Sequence, residues 1–193
     1  MKYPAIAVAV LVAALIAACA PDDTDRGDTQ TQQNTAAQPG SAKWQDTKAR
    51  VRAAFPDAPQ LSVAELAKTL AGQSPPLLID VREPQEYAVS HLPGAVNAQG
   101  RALEQLVREA GNDRAVVLYC SVGYRSSREV EKLRAQGFEN VSNLEGSIFE
   151  WANAGNPLVF GEPASQTPAR AVHPFDDEWG VLLDAERRSY APR

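Results

Sequence analysis

Short aliphatic runs that alternate with helix-length segments predict an α/β domain, a parallel sheet of about five strands with helices on both faces. Two runs carry most of that expectation. "PPLLIDV" (75–81) and "RAVVLYC" (114–120) hold apolar residues at consecutive positions, as strands buried on both faces do. The third observation is that helical patterns separate and follow them.

In chain order, "WQDTKARVRAAF" (44–55) is a predicted helix because Trp44, Val51 and Phe55 share one helical face. "SVAELAKTLA" (62–71) opens with Ser62 and Glu65 spaced as a capping box. The strand at 75–81 follows, and "GAVNA" (94–98) is a further candidate strand. "RALEQLVREAG" (101–111) reads as a helix closed by Gly111. After the strand at 114–120, "SREVEKLRAQGF" (127–138) is a helix, "NVSNL" (140–144) a strand and "SIFEWANAG" (147–155) a last helix. There is no internal repeat.

Composition narrows the function. The chain has 193 residues, 44% of them hydrophobic, enough for one ordinary domain with appendages. A net charge of -5 and no basic run argue against nucleic acid as a partner. Two cysteines and two histidines, scattered through the chain, form no metal-ligand cluster. No metal or cofactor is expected.

The start of the chain reads as an export signal. A short basic beginning precedes "AIAVAVLVAALIAACA", which is apolar but shorter than the roughly 20 residues of a membrane span. Its end, "IAAC" (16–19), resembles the lipobox of bacterial lipoproteins. That resemblance implies cleavage after residue 18, acylation of Cys19, and attachment to a membrane of the cell envelope, facing the periplasm. Ala20 after the cysteine points, by the same resemblance, to the outer membrane. Residues 21–43 contain no aromatic and nothing aliphatic larger than alanine, so 19–43 is read as lipid anchor and disordered linker. As a flexible coil this tether would reach about 26 Å root-mean-square.

With Cys19 acylated, Cys120 is the one thiol left. It ends an apolar strand and precedes "SVGYR" and a helix. In a parallel α/β sheet, ligands bind beyond the carboxyl ends of the strands. There the amides of a glycine-bearing loop and a helix N-terminus can converge on an anion. An ordinary cysteine is only a few per cent ionised at pH 7, whereas a helix N-terminus contributes up to about 2 kcal/mol to a thiolate. Arg125 adds a cation. The loop therefore suits a nucleophilic Cys120.

The stretch "LLIDVREPQEYAVSHLPGAVNA" with "VVLYCSVGYRSSREVEKLRAQGFENVSNLEGSIFEW" resembles a single rhodanese domain, over roughly residues 58 to 160. The resemblance implies a sulfurtransferase in which Cys120 takes a sulfane sulfur from a donor such as thiosulfate or a persulfide. The persulfide then passes that sulfur to a thiol or cyanide. Ser121, Val122, Gly123, Tyr124 and Arg125 would form the substrate-binding loop. Asp80, Arg82 and His91 would support it, the first two at the sheet's end and His91 within its turn. Rhodanese-like phosphatases carry one more loop residue, so a single sulfur suits this loop better than phosphate. A non-catalytic partner-binding module and, less favoured, an arsenate reductase are the alternatives. Two departures stand out. Ser121 occupies a position that is basic in many thiosulfate-using relatives, which weakens attraction for a dianion. The usual double glycine before the last helix is "GS" (Gly146, Ser147), with an effect expected on local packing only.

Residues 44–160 are thus read as the domain and 161–193 as a tail. In the tail, Phe175, Trp179, Leu182 and Leu183 fall on one helical stripe weakened by Gly180. The tail is expected to fold back onto the domain, the other reading being a surface for a protein partner.

Overall fold

The structure, a computed structural model, describes residues 39–99 and 101–192. Cys19, the signal at 1–18 and most of the expected linker lie outside the described residues. Its last residues do not: the first helix, α1 (Pro39–Ala54), begins five residues before the expected start at Trp44. The order continues with β1 (Gln60–Leu61), α2 (Val63–Leu70), β2 (Leu77–Asp80), α3 (Pro84–Val89), β3 (Val96–Asn97), α4 (Leu103–Ala110) and β4 (Val116–Tyr119). Then come α5 (Tyr124–Ala135), β5 (Val141–Leu144), α6 (Ser147–Asn153), β6 (Leu158–Phe160), β7 (Thr167–Ala169) and α7 (Asp177–Gly180).

Five strands form one parallel sheet in the order β1-β5-β4-β2-β3. From β2 the chain moves outward to β3, then returns across it to β4 and on to β5. The connections therefore reverse direction between β2 and β4, and loops at such a point leave a crevice beyond the strand ends. β4 is the middle strand, and Cys120 is the residue that follows it.

The alternation of side chains along β4 sorts the core. Val117 and Tyr119 pack with Val63 and Leu66 of α2, with Ile148, Phe149 and Trp151 of α6, and with Leu182 and Leu183. Val116 and Leu118 face the other side, against Val51 of α1 and Phe55 just after it, Leu106 and Val107 of α4, and Val130 and Leu133 of α5. Each such fully buried side chain contributes roughly 1.5–3 kcal/mol. A strand that is apolar throughout is what this two-sided burial requires. The Ser62–Glu65 capping box forms at the start of α2.

Four elements carried no sequence expectation. β1 is a two-residue edge strand, α3 is six residues long, and β6, the last stretch of the expected domain, pairs as an antiparallel ribbon with β7 beyond its end. The tail does fold back, burying Leu182 and Leu183, but not as one helical stripe. Only Asp177–Gly180 is α-helical, and Phe175 sits ahead of it at φ +69°. No helix among the described residues is long and apolar enough to cross a membrane.

Candidate active site

Cys120 stands where β4 gives way to α5, and its loop is fastened from below by the start of α6. The amides of Ile148 and Phe149 donate to the carbonyls of Cys120 (3.2 Å) and Ser121 (3.1 Å). The Ser147 hydroxyl accepts the Cys120 N–H (3.1 Å) and donates to the Leu144 carbonyl (3.0 Å). Ser147 holds φ +50°, in the left-handed region that glycine favours. The expectation that this serine matters for local packing alone is therefore corrected: its hydroxyl fixes the backbone of the nucleophile candidate.

Above that base, the loop turns toward the sulfur. Gly123 caps α5 at φ +104°, a conformation side chains rarely adopt, and a Cβ there would stand 3.2 Å from Asn143 Nδ2. The Gly123 N–H points at Cys120 Sγ, 3.2 Å away. Ser126 is fully buried, and its hydroxyl has no well-formed hydrogen bond with the loop at rest. An anionic sulfur is the acceptor its position favours. Burial pushes the Cys120 thiol up, but the Arg125 charge, the Ser126 hydroxyl and amide, and the Gly123 amide outweigh it. They hold the pKa below the ordinary cysteine value.

Arg125 is not a solvated residue of a helix's first turn. Its Nη1 and Nη2 donate to Glu86 Oε2 and Oε1, both at 2.8 Å, and Nη2 also reaches the Ser121 hydroxyl at 3.0 Å. Ser121 in turn donates to Glu86 Oε1 (3.2 Å). Glu86 is almost wholly buried and Arg125 a quarter exposed. Burial pushes the Glu86 carboxyl up, yet Arg125, Arg82 and the Glu83 amide hold it below the usual range. Glu86 comes from α3, where Pro84 starts the helix and the Glu83 N–H donates to Glu86 Oε2.

Over the loop lies a cleft of about 110 Å³. Cys120, Ser121, Val122 and Arg125 form its floor, Tyr124 one side, and Phe175 and Trp179 of the tail the rest. Tyr124 is half exposed and rests edge-on against Phe55, while Phe175 stands over the Arg125 guanidinium at 4.9 Å. All five predicted loop residues thus gather around the thiol.

The supporting residues sit deeper. Asp80 and Arg82 are fully buried and paired through Arg82 Nε and Nη2, which also donates to the Ser90 carbonyl at 2.7 Å. The backbone of His91 exchanges two hydrogen bonds with Val159 (2.8 and 3.0 Å), pinning β6 to the domain. The His91 ring stacks on Tyr87 (3.7 Å), with Nδ1 3.1 Å from the Tyr87 carbonyl and Nε2 3.3 Å from Gln166 Nε2. That pattern assigns the proton to Nδ1 and leaves Nε2 accepting, while burial lowers the pKa of the ring. His91 does not line the cleft.

Sequence reading missed Glu86, Ser126, Ser147, Phe175 and Trp179 as members of this site. For Glu86 there was a signal, the "EPQE" that begins α3 with proline at its first position. For the aromatic pair there was none, since only folding brings the tail to the loop.

Residues 62–154 match the rhodanese-like domain family. A sulfurtransferase of Allochromatium vinosum is 35% identical over 103 residues, which are 53% of this chain and 96% of that protein. An uncharacterized protein of Bacillus subtilis is 40% identical over 81 residues, 42% of this chain and 64% of its own. Among solved structures, a thiosulfate sulfurtransferase of Pseudomonas aeruginosa shares the fold with a TM-score of 0.51 at 23% identity. The match covers 70% of this chain and 26% of that one. A relative spanned almost end to end, a parallel sheet of the same fold and a cysteine loop at its switch point agree, and they make this chain a single-domain member of the rhodanese-type sulfurtransferase family.

Proposed function

We propose that the protein moves a sulfane sulfur through a persulfide on Cys120. The observation that supports this most is a thiol with lowered pKa, open to a small cleft and bonded by loop amides rather than by another thiol. In the first step the Cys120 thiolate attacks the sulfane sulfur of thiosulfate or of a persulfide. A bond forms from Sγ to that sulfur, and the bond to the leaving group breaks. Sulfite or a thiolate departs with the electron pair. In the second step a thiolate or cyanide attacks the outer sulfur, the S–S bond to Cys120 breaks, and the Cys120 thiolate returns. The Gly123 and Ser126 amides stabilise the negative sulfur on both occasions.

One further proposal concerns setting. Cys19 is acylated and holds the protein on the periplasmic face of an envelope membrane, so Cys19→Ser should release it into the soluble fraction or block its processing. A fully soluble wild-type protein would refute the anchor. The decisive test of the chemistry is the intact mass of the protein after treatment with thiosulfate or polysulfide. One added sulfur, absent from Cys120→Ser, is expected, together with negligible turnover of aryl phosphates. If no donor leaves sulfur on Cys120, the domain is a binding module instead.

A further inference from the structure

Building on the sulfurtransferase reading, we propose that Phe175 and Trp179 select the donor. They favour organic persulfides with an apolar or aromatic body, at the expense of small dianionic donors.

Four observations converge. The first is position: residues 62–154 match the family, so the two aromatic walls come from a segment beyond the matched domain. The second is the state of Arg125, the cation that lines the cleft among the described residues. Both terminal nitrogens of Arg125 are held by Glu86, and the Phe175 ring covers its face at 4.9 Å. A dianion entering here would shed water without meeting an uncommitted positive charge, and an unpaired buried anion costs several kcal/mol. An apolar body meets the rings of Tyr124, Phe175 and Trp179, which line the same cleft.

The third observation is strain. Phe175 holds φ +69°, a conformation that strains a bulky side chain. Core packing does not explain it, because the residue is 43% exposed. What the conformation achieves is a ring placed over Arg125 at the rim. The fourth is space. Beyond Tyr124 and Trp179 lies a second hollow of about 360 Å³ that shares both as walls and reaches Arg50 and Val51 of α1. A donor larger than thiosulfate can leave its sulfur end at Cys120 and rest its body between these rings.

The step balances without a co-reactant. The Cys120 thiolate attacks the terminal sulfur of R–S–SH, and the new Sγ–S bond replaces the original S–S bond. The departing R–S⁻ keeps the electron pair and takes the proton of the transferred sulfur. The products are the ionised Cys120 persulfide and R–SH.

The test compares benzyl persulfide with thiosulfate as donors to the full-length chain, reading kcat/KM for sulfur arrival on Cys120 by mass. The wild type should prefer benzyl persulfide by tenfold or more. Phe175→Ala, at a half-exposed position outside the core, should lower kcat/KM for benzyl persulfide by about tenfold, as loss of one ring contact implies. The thiosulfate value should rise rather than fall, because the substitution uncovers the face of the Arg125 guanidinium. Phe175→Leu, which keeps bulk but not the ring, should fall between. Equal or better use of thiosulfate by the wild type would overturn the inference and leave the sulfurtransferase reading intact. So would an equal loss for both donors in Phe175→Ala. Absence of sulfur on Cys120 from either donor would overturn both.

Discussion

Arg82 and Arg125 each meet a carboxylate through two guanidinium nitrogens, at 2.6–3.0 Å in one case and 2.8 Å in the other. Yet Arg82 and Asp80 are both fully buried, whereas Arg125 keeps a quarter of its side chain open beside Glu86. The closed pair ties β2 to the end of α3 through the Ser90 carbonyl. The open pair faces a thiol. The difference teaches how one kind of contact separates into two uses. With both partners sealed, the charges serve mainly each other and the position of the chain. With one face open, the remaining field acts on whatever occupies the cleft. The two pairs are also linked, since Arg82 helps to hold the Glu86 carboxyl ionised.

Breaking the closed pair should give the largest effect, and it should appear as stability. Asp80→Asn leaves Arg82 charged in a site with no exposure and only a neutral amide where its partner stood. Loss of one member of a buried pair costs about 3–5 kcal/mol, which for a domain of this size lowers Tm by roughly 10 °C. Thermal unfolding followed by circular dichroism measures it directly. A shift within error would mean that the pair is dispensable, and that the Asn97 contact to the Arg82 carbonyl (2.9 Å) holds the turn without it.

Breaking the open pair should instead change chemistry. Cys120 has its pKa lowered despite burial, by Arg125 first among the groups that oppose burial. The sign is set by that direction: reactivity is present above the thiol's pKa, falls as pH drops through it, and has its inflection below that of an ordinary cysteine. Arg125→Met should move the inflection up and slow alkylation at pH 7 by about tenfold, the effect of one pKa unit. Glu86→Gln should do the opposite, freeing the Arg125 charge for the sulfur. It should speed alkylation at acid pH by roughly threefold and lower the KM for thiosulfate, an opposite sign that a purely structural role would not produce. An unchanged pH profile in both variants would assign the lowered pKa to the loop amides alone.

The contrast between the pairs also marks what the sequence discloses. β2 and β4 are legible because three or four consecutive apolar residues suit a strand buried on both faces, and α2 because Ser62 and Glu65 announce its first turn. Cys120, Gly123 and Arg125 are legible because a reactive loop needs a thiol, a residue free to take φ > 0 and a cation in close succession. For Glu86 the "EPQE" start marked a helix but not a role, because a six-residue helix is too short for its periodicity to be seen. An acid in the first turn of so short a helix looks like any surface acid. Phe175 and Trp179 were read as one face of a helix with Leu182 and Leu183, which local spacing allows. The backbone reversal at Phe175 and the packing of Gly180 against Pro174 divide that stripe, and no local pattern encodes either.

The smallest effect expected is at Ser147, where neither charge pair is touched and the backbone support of Cys120 is tested alone. Two consequences of Ser147→Gly oppose each other. Glycine accepts φ +50° without strain, a relief of about 1–3 kcal/mol. Losing the hydroxyl leaves the buried Cys120 N–H and Leu144 carbonyl without that partner, at about 1–3 kcal/mol for a group left unmatched. Stability should therefore move by no more than about 2 kcal/mol. Ser147→Ala keeps the strain and loses the same hydroxyl, so it should be less stable than the glycine variant by about 1 kcal/mol or more. Reactivity separates the hydroxyl from the strain. If the hydroxyl positions the nucleophile, both variants should alkylate two- to threefold more slowly at pH 7 while keeping the wild-type inflection, because Arg125 and the Gly123 amide are unchanged. An inflection that moved with either substitution would show that Ser147 acts on the charge of Cys120 as well as on its place.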